Sequence, residues 1–169
     1  MIDGEHFVVN TENKGGLLMA KLVAAVFIAS VLSSSALAKS NEEQAQAVID
    51  TRQGLLKVVG FYMQPMVGMV KGKIKYDAIV VEKNAGKIAE LAAMLPDVFA
   101  PDVRNSGLLS DSLDGAWEDR ADFVEKARNL AIRAQVLSDS AKASKTMPMN
   151  NFGDMGKACK NCHRTYRKK

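Results

Sequence analysis

Five consecutive positions near the C-terminus, Cys159 to His163, follow the pattern C-x-x-C-H. This is the attachment pattern of a c-type haem, in which two thiols one helical turn apart bond covalently to the porphyrin and the adjacent histidine ligates the iron. The pattern therefore predicts one covalently bound haem c per chain. Cys159 and Cys162 are the predicted attachment points, and His163 is the predicted iron ligand.

Two other uses of paired cysteines fit the sequence less well. A structural zinc site needs about four Cys, His or carboxylate ligands, whereas the chain holds two cysteines and two histidines. A redox-active dithiol would stand at a helix start in a strand-rich setting, and the surrounding sequence has few strand-like runs. Zinc is close to excluded, and the dithiol is the weaker alternative to haem.

An export signal is predicted over residues 19–38. Met19 begins a short basic stretch, residues 23–32 are almost wholly apolar, and an A-x-A box ends at Ala38. This is the three-part layout of a secretory signal peptide, and its apolar part is short for a membrane span. Residues 1–18 fit no part of the layout and are interpreted as an upstream extension. We expect a periplasmic protein of residues 39–169 that is not an integral membrane protein.

Removal of residues 1–38 would leave His163 as the only histidine, because His6 lies in that segment. Residues 39–169 are enough for one domain with one core. The full chain has a formal net charge of +4, and its one dense basic cluster is the stretch 164–169. Nucleic-acid binding is disfavoured, because it calls for clustered basic residues with interleaved aromatic ones.

Four segments of residues 39–169 repeat apolar side chains at helical spacing: about 42–71, 77–94, 113–143 and 151–167. Asp77 is the predicted N-cap of the second segment, and Pro96 is predicted to stop it. The third is predicted to be one continuous helix. With no strand pattern, this organisation predicts an all-α fold, an antiparallel four-helix bundle with covalent haem on its C-terminal helix.

The residues alone leave the sixth ligand of the iron open. With one histidine in residues 39–169, ligation by two histidines within one subunit is impossible, so methionine, lysine or no ligand remain. Seven methionines lie in residues 39–169, and methionine at helical spacing is commonly adaptable core filler. Spacing does not decide among these options.

The order of these features resembles the cytochrome c′ family (class II c-type cytochromes). The resemblance extends over essentially all of residues 39–169. It rests on the leader, on Arg52-Gln53-Gly54-Leu55-Leu56 in the first helix, on Trp117 and Phe123, and on the stretch from Cys159 to Arg167. Its most specific parts are the C-terminal haem motif and the Arg-Gln pair.

The resemblance implies site residues as well as a fold. It places Arg52 and Gln53 beside the haem propionates, Leu56 over the distal face of the iron, and Arg167 on the proximal face with His163. Low-spin relatives place a ligating methionine on the first helix, whereas Leu56 cannot ligate. The resemblance thus implies pentacoordinate iron, small-gas binding and, usually, a homodimer.

Arg52 and Leu56 each have an ordinary alternative interpretation. The Arg52 side chain could extend along the bundle to reach solvent, and Leu56 could be a core residue like any other.

The predicted function is non-enzymatic binding of nitric oxide or carbon monoxide at a crowded apolar haem face, with electron transfer as a further role. The alternative is a low-spin electron-transfer cytochrome of the same fold, in which Met63 or another methionine is the second ligand. Peroxide reduction is disfavoured, since it calls for a distal acid or base such as histidine.

Apolar residues of the first helix outside its core stripe favour a homodimer: Val58, Phe61, Val67 and Met69. The alternative is that these residues pack on the loop after Pro96. The physiological ligand and the redox partner are not specified by the sequence.

Overall fold

The computed structural model describes the backbone of residues 14–169 and the side chains of residues 41–169. The predicted leader, residues 19–38, falls where no side chain is described. The predicted extension, residues 1–18, lies largely outside the described residues, and both stay predictions. The chain divides between residues 41 and 42, and the unit Glu42–Lys169 contains the core and the candidate site.

Four long helices dominate the described chain: α1 (Lys14–Val70), α2 (Ala78–Val98), α4 (Arg120–Lys142) and α5 (Met149–Tyr166). A 3-10 turn (Arg104–Ser106) and the short helix α3 (Gly115–Glu118) lie between α2 and α4. The predicted all-α four-helix bundle is confirmed. Among the helices of the described residues, none is long and apolar enough to cross a membrane.

Helix α2 starts as predicted and ends later than predicted. The Asp77 carboxylate accepts hydrogen bonds from the backbone N–H groups of Ile79 (2.9 Å) and Val80 (3.1 Å), as an N-cap does. The prediction that Pro96 stops the helix is wrong, because α2 continues to Val98. A proline in the last turn removes one N–H only. The guanidinium of Arg120 donates to the Pro96 carbonyl, which satisfies an acceptor at this helix end.

The third predicted segment is interrupted at Asp119. Its backbone leaves the helical region there (φ −111°, ψ 64°), and its carboxylate accepts a hydrogen bond from the Asp122 N–H (3.3 Å). The prediction of one helix over 113–143 is therefore wrong. The break assigns Trp117 to α3 and Phe123 to α4, so the two aromatic residues approach the bundle core from separate elements.

The core of the bundle draws on all four long helices. Its largest fully buried side chains are Met66 of α1, Val81 and Ile88 of α2, Leu137 of α4 and Met155 of α5. Burial of a side chain of this size contributes about 1.5–3 kcal/mol relative to its exposure. This shared core fixes α5, the helix that carries the C-x-x-C-H pattern, against the rest of the bundle.

Candidate haem site

Helix α5 presents its cysteines towards the bundle. Met155, Ala158 and Tyr166 are buried, and Cys159 and Cys162 are half-buried against the same core cluster. Both thiols are free. Their three-residue separation sets them one helical turn apart, as attachment to a single porphyrin requires.

The environment of the two thiols does not suit thiolate chemistry. Burial raises the pKa of Cys159, and burial together with the nearby Cys159 raises the pKa of Cys162 to about 11. A redox-active or metal-binding cysteine has a lowered pKa instead. Among the described residues no group of three or more His, Cys, Asp or Glu side chains could hold a metal ion. The raised pKa values disfavour the dithiol interpretation.

His163 lies on the exposed side of α5, one residue after Cys162. Desolvation lowers the pKa of its imidazole, and the positive charge of Arg167 lowers it further. The neutral imidazole, which is the form that ligates a metal, is favoured in consequence. Arg167 is itself exposed, and its backbone N–H donates to the His163 carbonyl (3.1 Å).

Arg52 is buried, with 3% of its surface exposed. Its Nε donates to the Val98 carbonyl (2.9 Å) and its Nη2 to the Pro101 carbonyl. Its guanidinium carbon lies 5.1 Å from the centre of the Phe99 ring and 4.9 Å from that of Trp117. The alternative in which Arg52 extends to solvent is wrong.

One donor of this buried side chain, Nη1 of Arg52, is buried without a hydrogen-bond partner in the described structure. A buried charged donor left unpaired is costly; Nη1 of Arg120 is in the same state, and Nη1 of Arg52 is available to an acceptor from outside the chain. A carboxylate such as a haem propionate has the required charge and geometry.

A surface cavity of about 100 Å³ adjoins Arg52 and is lined by residues of both α1 and the C-terminal tail. Its lining comprises Ile49 and Arg52 of α1, Lys168 of the tail, and residues of the loop and α3: Val103, Arg104, Leu108, Ser110, Ser112, Asp114 and Trp117. The tail is held there because the Leu113 N–H donates to the Tyr166 carbonyl (2.9 Å) and the Lys168 N–H to the Asp111 carbonyl (2.8 Å).

Gln53 and Leu56 lie on α1 outside the lining of this cavity, and both are exposed. Leu56 keeps 39% of its surface exposed, so the alternative that it is an ordinary core residue is wrong. Its neighbour Leu55, by contrast, packs against the core cluster. An apolar side chain left open on a helix that otherwise contributes to the core is consistent with a surface that another group covers.

A hydrogen-bonded ion pair beside α5 was not predicted from the sequence. Asp122 and Lys126 form an ion pair with Nζ 2.6 Å from both carboxylate oxygens, and the Tyr166 hydroxyl donates to Asp122. The i, i+4 spacing of Asp122 and Lys126 is visible in the sequence. It carries no sign that a tyrosine 44 residues later completes the group.

Comparison with known proteins decides the family. The family described as Cytochrome C' matches residues 47–167, which is most of the chain and includes every candidate site residue. The chain belongs to the cytochrome c′ family. It is accordingly a c-type haem protein, and the covalent haem predicted from the cysteines is confirmed at the level of the family.

Two relatives show how far the similarity extends. Cytochrome c' of Rhodopseudomonas palustris is 34% identical over 122 residues, which are 72% of this chain and 82% of that protein. Cytochrome c-554 of Cereibacter sphaeroides is 29% identical over 153 residues, 89% of this chain and 99% of that protein. The similarity to the cytochrome c′ family therefore extends over the bundle and is not confined to the haem motif.

Solved structures agree with the bundle. Cytochrome c prime from Shewanella frigidimarina has a TM-score of 0.63 at 30% identity and covers 74% of this chain and 97% of that chain. The nitric oxide complex of a mutant of cytochrome c prime from Alcaligenes xylosoxidans has a TM-score of 0.63 at 28% identity, covering 74% and 97%. The residues described above fit the cofactor of the cytochrome c′ family, with two half-buried thiols, a neutral imidazole and an unpaired buried guanidinium nitrogen.

Proposed function

We propose that this protein is a periplasmic haem protein with pentacoordinate iron that binds nitric oxide or carbon monoxide and is not an enzyme. The observation that carries the proposal is the pair His163 and Leu56. His163 is the only histidine of residues 39–169, and Leu56, the residue that the resemblance assigns to the distal face, is an open apolar side chain without a donor atom. With His163 on one side and Leu56 on the other, bound iron would have one protein ligand.

Each site residue has a role in this proposal. Cys159 and Cys162 form the two thioethers, and His163 is the proximal ligand. Arg52, whose Nη1 lacks a partner, pairs with a propionate, and Gln53 lies beside it. The bound haem supplies an iron that changes oxidation state and takes a diatomic ligand.

Arg167 acts on the proximal side. Its positive charge already influences the His163 imidazole, and a guanidinium can stabilise an anionic or displaced ligand through charge and hydrogen bonds. We assign it to the proximal face of the haem.

Leu56 determines which gases bind well. An apolar side chain offers no hydrogen bond to bound dioxygen, and its bulk penalises any sixth ligand. Nitric oxide binds ferrous haem strongly enough to tolerate this penalty. Three solved cytochrome c prime structures from Alcaligenes xylosoxidans are nitric oxide complexes of leucine variants, which supports the same ligand for this chain.

Optical and EPR spectra of the purified holoprotein in both oxidation states, with and without nitric oxide, test the proposal. We expect high-spin pentacoordinate ferrous iron that binds nitric oxide. A low-spin resting spectrum with a sulfur-to-iron charge-transfer band contradicts it. That result would favour the electron-transfer alternative with a methionine ligand, for which Met63 is available because it lies half-buried on α1, two turns after Leu56.

Export and haem attachment are checked together by the intact mass of the protein from a host that matures c-type cytochromes. We expect residues 39–169 plus one haem, because cleavage follows the A-x-A box at Ala38 and two thioethers survive denaturation. Haem extractable with acidified acetone, or a mass that retains residues 1–38, contradicts this prediction. Replacement of both cysteines by serine is the control that should release the haem.

A homodimer is also part of the proposal. The faces of α1 that point away from the core leave Val58 (42% exposed) and Phe61 (67% exposed) uncovered. Val67 is half-buried, and the prediction that Met69 lies outside the core is wrong, because Met69 packs against the core cluster. Two copies related by a twofold axis would bury Val58 and Phe61. We expect a dimer in sedimentation equilibrium of the holoprotein, weakened by Phe61→Lys and not by the matched change Ile79→Lys on exposed α2 surface. A monomer at all concentrations contradicts the prediction.

A further inference from the structure

Tyr166 ends α5, three residues after His163, and is tied to two other parts of the fold. It is 6% exposed. Its hydroxyl donates to Asp122 in the first turn of α4, and its carbonyl accepts from the Leu113 N–H (2.9 Å). The turn that contains His163 is therefore held from both the side chain and the backbone of one residue.

The acceptor of the Tyr166 hydroxyl is itself fixed. Lys126 places its ammonium 2.6 Å from both oxygens of Asp122. The hydrogen bond from Lys126 and, to a smaller extent, the one from Tyr166 lower the pKa of Asp122. The carboxylate is therefore ionised at neutral pH. Desolvation and the Asp122 hydrogen bond raise the pKa of Tyr166, so the phenol keeps its proton. The result is a charge-assisted hydrogen bond, stronger than a neutral one.

The Tyr166 ring is packed independently of the hydroxyl. It meets Phe123 edge-on with 5.3 Å between ring centres, and Phe123 packs against Phe99 in a tilted arrangement with 4.8 Å between ring centres. Phenylalanine at position 166 would keep these ring contacts and lose only the hydroxyl bond. The contribution of the clamp can thus be measured without emptying the core.

We infer that Tyr166, held by Asp122 and Lys126, is a positioning residue that limits how far His163 can move with the iron. This inference rests on the proposed function. If a gas bound on the side opposite His163, the imidazole would have to move towards the porphyrin to keep its bond to the iron. A turn clamped at Tyr166 resists that movement, and the resistance favours release of His163.

The test compares the ferrous holoprotein with Tyr166→Phe under excess nitric oxide, using stopped-flow absorbance to measure the rate at which His163 leaves the iron. We expect release to slow about tenfold in Tyr166→Phe, the factor that corresponds to one hydrogen bond to a charged group. Tyr76→Phe is the matched control, because the Tyr76 hydroxyl donates to the Ser144 carbonyl (3.3 Å), which precedes the N-terminal end of α5, whereas His163 is near its C-terminal end. An unchanged or faster rate in Tyr166→Phe, or an equal slowing in Tyr76→Phe, overturns the inference.

Two further measurements separate positioning from general loosening. Asp122→Asn combined with Tyr166→Phe should slow release no more than the stronger single change, since the residues act as one unit; additive slowing overturns the clamp. Resonance Raman of the ligand-free ferrous protein should show a shifted iron–histidine stretching band in Tyr166→Phe alone. If the parent protein binds no nitric oxide, the proposed function fails, whereas an unshifted band in Tyr166→Phe overturns the positioning role whether or not nitric oxide binds.

Discussion

Leu56→Ala is expected to raise the affinity of the ferrous protein for carbon monoxide by about five- to 150-fold. Crowding of one side chain against another group costs about 1–3 kcal/mol, and each 1.4 kcal/mol is a factor of ten in affinity. Alanine removes the branched end of the side chain that the proposal places over the iron. Equilibrium titration and stopped-flow mixing measure the change.

Leu55→Ala is the matched control for this substitution. Leu55 is adjacent in α1 but packs against the core cluster, whereas Leu56 keeps 39% of its surface exposed. We expect Leu55→Ala to lower the free energy of unfolding and to leave gas affinity nearly unchanged. Equal affinity in Leu56→Ala and the parent, or a larger gain in Leu55→Ala, would show that Leu56 does not crowd the ligand.

The sequence was sufficient for features that depend on local chemistry. The spacing of Cys159 and Cys162 indicates haem wherever the helix lies, and the Asp77 cap needs only two neighbouring N–H groups. Helical periodicity likewise indicated four long segments, since each buries one face in a common core. These properties are set by residues a few positions apart.

Features that depend on distant residues were missed or misplaced. Pro96 was expected to end α2, but the donor that satisfies its carbonyl is Arg120, on another helix. The break at Asp119 was missed because a single non-helical residue interrupts neither the apolar repeat nor the composition. The Tyr166–Asp122 bond joins residues 44 positions apart, and no local pattern announces such a pair. The haem motif could thus be predicted from the sequence, whereas the hydrogen-bond network that supports it could not.

Arg52→Ala is expected to lower the free energy of unfolding of the holoprotein by about 2–4 kcal/mol. The Val98 carbonyl loses its donor, whereas the Pro101 carbonyl keeps a hydrogen bond from the Trp117 indole, and an acceptor left unpaired costs about 1–3 kcal/mol. The cation–π contacts with Phe99 and Trp117 are lost as well. Release of a buried charge with an unpaired Nη1 offsets part of this loss.

Arg104→Ala is the control for Arg52→Ala, because it also removes an arginine that lies near Trp117. The Arg104 guanidinium also lies over the Trp117 ring, at 5.6 Å, but its ion pairs with Asp102 and Glu118 are on the surface, where such pairs contribute little to stability. Urea unfolding followed by circular dichroism should therefore give a much smaller change for Arg104→Ala. Arg52→Lys should recover little of the loss, because an ammonium cannot reach both carbonyls as the planar guanidinium does. A cost for Arg52→Ala no larger than that for Arg104→Ala would mean that Arg52 does not hold the loop after α2 against α1.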